Sequence, residues 1–223
     1  EREEKRIPDA RFDILYEDDS ILVINKPAGV AVHGGSGVSF GVIEQLRAMR
    51  PEAKFLELVH RLDKETSGIL VLAKKRSALT RLHEQIREGS IDKRYQALVH
   101  GNWKNQRQHV RLPLLKYHTT DGERRVRVDA AGQASHTVFN VLRHYPDFTL
   151  LEAELKTGRT HQIRVHLAAI QHPLLSDPLY GIRDSRCPRL ALHACRVSIP
   201  HPLSNDMLRV ECPLPQDLRQ LLD

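Results

Sequence analysis

The chain has 223 residues, 40% hydrophobic and 28% charged, enough for one domain that buries a core without disulfide or metal staples. Lys and Arg number 34 against 28 Asp and Glu, a formal +6 with 13 His besides, which favours a polyanionic partner such as nucleic acid. No apolar run reaches the roughly 18–20 residues that span a bilayer, and the charged start Glu1-Arg2-Glu3-Glu4-Lys5-Arg6 does not read as a secretory signal.

Residues 1–11 read as a polar leader. Phe12 to Glu17 and Ile21 to Asn25 read as strands joined by the turn residues Asp18-Asp19-Ser20. A turn follows at Lys26-Pro27-Ala28-Gly29. The loop His33-Gly34-Gly35-Ser36-Gly37 is glycine-rich but lacks the Gly-Lys-Ser/Thr ending of a phosphate-binding loop. Val42, Ile43, Leu46 and Met49 have helical spacing over 41–49, and Pro51 stops that helix. Ile69 to Ala73 is a continuous apolar run of strand length. Ser77 to Arg87 carries Leu79, Leu82 and Ile86 on one helical face and is closed by Gly89. Strands are expected at Ile91–Val99, 107–112, 124–129, 134–143 and 148–155. A helix is expected over Thr160–Ile170, then strands at 190–199 and 207–212 and a short terminal helix. Strands outnumber helices and many are adjacent. The fold class is therefore α+β on a mostly antiparallel central sheet flanked by helices and loops.

Cys187, Cys195 and Cys212 form no CxxC pair, so reduced thiols are expected and no zinc knuckle. Three other segments carry chemistry. His60-Arg61-Leu62-Asp63-Lys64-Glu65-Thr66-Ser67-Gly68 places a carboxylate in a polar turn between apolar strands. Pattern alone favours an ordinary charged turn in which Asp63 bonds its own backbone. Lys93-Arg94-Tyr95-Gln96-Ala97 puts a tyrosine among apolar strand residues, where core packing is the plain reading. In Thr157-Gly158-Arg159-Thr160-His161-Gln162-Ile163-Arg164-Val165-His166, Gly158 permits a tight turn and Thr160 can cap the next helix. Free N–H groups and arginines at that helix start could hold phosphate. His161 and His166 do not have zinc-helix spacing, so no metal site is expected. Arg189-Leu190-Ala191-Leu192-His193-Ala194 reads as a buried strand.

Taken together and in this order, these segments resemble the motifs of the RluA family of pseudouridine synthases, from about Phe12 to the C-terminus. The stretches around Val30–Arg47 and Lys74–Gln85 are similar to a branch acting on large-subunit ribosomal RNA. The resemblance implies a pseudouridine synthase fold over residues 12–223, no cofactor and no metal. It also implies an isomerisation in which the C1′–N1 glycosidic bond of uridine is broken and C1′ is joined to C5. The implied partner is 23S ribosomal RNA, with no membrane, met by a monomer in the cytoplasm. Relatives in that branch carry an S4-like RNA-binding domain before the catalytic part. Nothing like it precedes Phe12, so the chain reads as a catalytic fragment.

The resemblance assigns the essential aspartate to Asp63, the active-site tyrosine to Tyr95 and their basic partner to Arg164, whose salt bridge would keep Asp63 ionised. Arg61 would help evert the base. Leu192, with Leu190 as rival, would pack near the uracil. His60, Arg159, His161, Gln162 and Lys26 join the RNA-binding list, and Lys74, Lys75 and Arg76 are further phosphate candidates. Whether Asp63 attacks C1′ or C6, or takes the C2′ proton, stays open. The stretch Gln171-His172-Pro173-Leu174-Leu175-Ser176-Asp177-Pro178-Leu179-Tyr180-Gly181 departs from the family pattern, with Gln171 and Ser176 in place of glycines. A non-catalytic RNA-binding factor and a glycosidic hydrolase are the competing readings.

Overall fold

The computed structural model describes residues 11–35 and 40–223. The polar leader, apart from Arg11, and the Ser36-Gly37 end of the glycine-rich loop lie outside the described residues. The chain divides into two compact units. One comprises residues up to Ile91 together with Ser198–Cys212, and the other comprises Asp92–Val197 with Pro213–Asp223.

The first unit begins with β1 (Asp13–Glu17) and β2 (Ile21–Lys26). Asp18 closes the turn between them, accepting the N–H of Ser20 at 2.7 Å and of Ile21 at 2.9 Å. Helix α1 (Val42–Met49), the short β3 (Glu57–Leu58), β4 (Ser67–Ala73) and α2 (Arg76–Glu88) follow. β2 pairs antiparallel with both β1 and β4, and β3 adds to β4. Every residue of β4 is buried, which is why its sequence shows no polar alternation. Ile21, Leu22, Val23 and Ile24 of β2 are likewise fully buried. Gly89 ends α2 in the left-handed conformation at φ 75°, as its position in the sequence implies. Buried Gln85 of α2 donates its side-chain amide to the Pro200 carbonyl at 2.8 Å.

The second unit carries β5 (Asp92–His100), β6 (Arg107–Val110), β7 (Leu114–His118), β8 (Arg124–Val128), β9 (Thr137–His144) and β10 (Phe148–Leu155). After β10 come α3 (Gln162–Ala169), β11 (Leu192–Pro200), β12 (Met207–Glu211) and α4 (Gln216–Arg219), the last residues of β11 and all of β12 falling in the first unit. Antiparallel pairing joins β5 to β10, β10 to β9 and β9 to β6. A separate hairpin is formed by β7 and β8. One core gathers Leu98, Phe148, Leu150, Leu175, Ala191 and Leu218. A smaller one joins Leu114 and Val126 of the hairpin to Val165 of α3, with Tyr180 packed against it.

The fold class is α+β with a mostly antiparallel sheet, as the order of elements implies. Two expectations are corrected. Strand β7 went unread, because Leu114-Leu115-Lys116-Tyr117-His118 becomes a strand through pairing with β8. Helix α3 begins at Gln162, two residues later than expected. Thr160 does not cap it, since His161 occupies the N-cap in the left-handed conformation at φ 53°. The cysteines form no disulfide among the described residues.

Candidate active site

The aspartate loop belongs to the first unit. Leu62 and Thr66 are buried and tether the loop, while Arg61 and Lys64 are exposed and Asp63 is partly buried. The Thr66 N–H donates to the Asp63 carbonyl at 3.0 Å, closing a tight turn beneath the carboxylate. His60 faces inward: the Val71 N–H donates to its Nε2 at 3.0 Å. A ring nitrogen that accepts is unprotonated, so His60 is neutral and ties the loop to β4.

Lys26 has another task than phosphate binding. It is fully buried, and its Nζ donates to the carbonyls of Pro27 at 2.8 Å, Val30 at 2.8 Å and Lys64 at 2.9 Å. An ammonium has three donors, and each has an acceptor here. The Gly29 N–H adds a second bond to the Lys64 carbonyl at 2.9 Å. At φ 88° Gly29 lies in the left-handed region that glycine adopts without cost. Lys26 therefore clamps the turn after β2 to the residue following Asp63. Lys74 is also engaged, bridging to Glu17 at 2.7 Å and donating to the Asp18 carbonyl at 2.8 Å. Lys75 stays exposed, and Arg76 lies over the Phe55 ring at 5.3 Å.

The second unit carries Tyr95, Arg159, His161, Gln162, Arg164 and Leu192. Tyr95 is 6% exposed on β5, opposite Ala153 of β10. A small residue across the strand pair leaves the phenol ring room. Arg164 on the first turn of α3 is buried, and its guanidinium forks onto buried Asp177. Nε meets Oδ2 at 3.0 Å and Nη2 meets Oδ1 at 2.7 Å. Burial pushes the Asp177 carboxyl up, but the guanidinium and the N–H groups of Leu179 and Tyr180 outweigh it and hold the group below its ordinary value.

Asp177 is the residue that sequence reasoning missed. The available signal was chemical: an arginine within an apolar helix requires an acid, and Asp177 follows in the departing stretch. Tyr180 was also missed. Its ring lies 5.3 Å from the Arg164 guanidinium carbon, and its hydroxyl accepts the Val126 N–H at 3.0 Å. The same hydroxyl lies 2.7 Å from His161 Nδ1, to which it can donate.

Gln162 also serves the fold. It is 3% exposed, and its carbonyl oxygen accepts from Thr157 Oγ1 at 2.7 Å and the Arg159 N–H at 3.0 Å. Its amide nitrogen donates to the His136 carbonyl at 3.0 Å and Thr137 Oγ1 at 2.9 Å. These bonds brace the turn that leads into α3, whose N-terminus has no side-chain cap. Arg159 is exposed and leans on the Ala134 carbonyl at 3.2 Å. Leu192 and Leu190 are both buried. Arg189 holds their segment, donating to both carbonyls at 3.0 Å and bridging to Asp217 at 2.9 Å. Among the described residues no cluster of three or more metal-ligating side chains occurs.

The RNA pseudouridylate synthase family pattern matches residues 20–169, and the chain belongs to that family. It is 52% identical over 219 residues to a Salmonella typhi protein named ribosomal large subunit pseudouridine synthase C, covering 94% of this chain and 69% of that one. The Escherichia coli K12 protein of the same name is 52% identical over 218 residues, covering 94% and 68%. Among solved structures, human RNA pseudouridylate synthase domain containing 1 superposes with a TM-score of 0.76 at 27% identity, covering 95% of this chain and 93% of that one. The enzyme is thus an isomerase, an RNA pseudouridine synthase.

Proposed function

We propose that this enzyme converts specific uridines of 23S ribosomal RNA to pseudouridine, as a cytoplasmic monomer using residues 12–223 as its catalytic domain and neither metal nor cofactor. The observation that carries the substrate is the 52% identity with relatives named for the large ribosomal subunit. The +6 charge and the exposed cations Arg111, Lys116 and Arg124 support a polyanionic partner.

A uridine inside folded RNA hides its sugar face, so the nucleotide must be everted at a cost of about a few kcal/mol. Exposed Arg61 offsets part of that cost by stacking or hydrogen bonding where the base was. The Asp63 carboxylate starts the reaction and the C1′–N1 bond breaks. The uracil turns and C1′ bonds to C5, which then loses its proton. Tyr95 offers a flat face to the uracil and a hydroxyl for that proton transfer. Arg164, locked by Asp177, is the fixed cation offered to the charge developing on the uracil. Leu192 packs beside the base.

The test uses large-subunit ribosomal RNA lacking the modification, with pseudouridines mapped by carbodiimide primer extension. Stops at discrete uridines are expected with the native enzyme and none with Asp63→Asn. Release of free uracil would point to a hydrolase, and binding without change to an assembly factor. Either result would overturn the proposal.

A further inference from the structure

Strand β5 carries two adjacent cations with opposite circumstances. Successive strand residues point to opposite faces, so Lys93 shares a face with Tyr95, and Arg94 lies on the other. Arg94 is saturated with acid: Asp92 at 2.7 Å, Glu152 at 2.9 Å and Glu154 at 2.6 Å. Lys93 has no carboxylate and no hydrogen-bond acceptor among the described residues, although burial pushes its ammonium below the ordinary lysine value. An ammonium held in the protein without an acid is costly unless a ligand supplies the counter-charge.

The position of Lys93 indicates the ligand. A Cβ placed on Gly158 would meet Lys93 Nζ at 3.5 Å, so the ammonium rests against the open face of the turn that leads into α3. That turn is itself rich in donors. Gly158 and Thr160 give their N–H groups to no acceptor among the described residues, and Arg159, between them in sequence, is exposed with its Nε on the Ala134 carbonyl. An ammonium, a guanidinium and uncommitted backbone N–H groups on a glycine turn are the chemistry that holds a phosphate. Across β10 the partner of Lys93 is Leu155, which brings no competing charge.

We propose that Lys93 and the Thr157–Thr160 turn form a subsite for a backbone phosphate of the RNA, with Lys93 as a positioning residue. This rests on the RNA substrate of the preceding section. The subsite fixes the sugar-phosphate chain on the Tyr95 face of β5, so that an everted uridine arrives in one orientation.

The test compares Lys93→Met, Lys93→Gln and Lys93→Arg with the native enzyme on the same RNA, from low to high salt. Loss of the charge is expected to raise KM about tenfold, the cost of one charge-assisted hydrogen bond, with kcat little changed. The salt slope of binding should fall by about 0.7, one phosphate contact on a single strand. Lys93→Arg should restore the slope. Lys93→Gln carries the comparison if the Met protein melts early. A single neutral methylphosphonate walked along the RNA should weaken the native enzyme at one linkage and leave Lys93→Gln indifferent there. An unchanged salt slope in the charge-removed proteins, or no linkage that distinguishes them from the native enzyme, overturns the subsite. A native enzyme that forms no pseudouridine is a different failure, that of the proposed function, because the binding slopes are read without turnover.

Discussion

The aspartate loop and the arginine turn are built by different means. Around Asp63 main-chain groups meet two side chains: one buried ammonium, Lys26, gathers three carbonyls, and His60 accepts a β4 N–H. Around Arg164 several side chains share the support: Asp177, Tyr180, His161 and Gln162 each bond specific side-chain and backbone partners. Backbone acceptors are the same whatever residue bears them, so the first design concentrates its dependence in one lysine. The second spreads it over several residues, each replaceable only by a similar shape and charge.

The largest expected effect tests the second design. Asp177→Ala would leave a buried guanidinium without its acid, at a cost of about 3–5 kcal/mol in urea unfolding. The folded-state value of Asp177 is depressed, so its contribution is present above the ordinary aspartate range and fades as pH falls through the lower folded value. The difference between native and Asp177→Ala proteins should therefore narrow in acid. A constant difference down to low pH would mean that packing, and not charge, holds the arginine.

Lys26→Met comes next. It fills the space but strands the carbonyls, and about 1–3 kcal/mol is expected, the desolvation penalty for buried groups left unpaired. Amide exchange should quicken at Gly29 and Thr66, whose N–H groups close that loop, more than in the second unit. If Lys26→Met cost more than Asp177→Ala, the ranking of the two designs would be reversed. The smallest effect belongs to Tyr180→Phe, which keeps the ring over Arg164 and removes the hydroxyl that joins the hairpin to His161. About 1 kcal/mol of stability is expected to go, with RNA binding weakened more than kcat. Equal binding by the two proteins would separate the hairpin from RNA recognition.

Much of this was legible beforehand, and the reasons differ by residue. The buried strands β2 and β4, helix α2 with Gly89 at its end, and the Asp18 turn follow from local pattern, because apolar runs, helical spacing and turn chemistry act over a few residues. Asp63, Tyr95 and Arg164 were nominated by the family resemblance of their motifs taken together, each motif being weak alone. Lys26 was misread because a lysine beside a proline turn looks solvated until the chain folds three carbonyls around it. Thr160 was misread as a cap because the chain turns left-handed at His161, which takes the N-cap position instead. Strand β7 and the acid that holds Arg164 could not be read locally at all, since each needs a partner brought from elsewhere.

The amino-acid order alone determined the secondary elements, the basic charge and the chemical groups available for reaction, since these depend on neighbours along the chain. Tertiary structure decided which cations are consumed internally and which are left to meet a ligand. Lys26, Lys93 and Arg94 are alike in sequence, as cations at or beside strand ends. Only their surroundings, a ring of carbonyls, an open glycine turn or three carboxylates, determine what each charge can do.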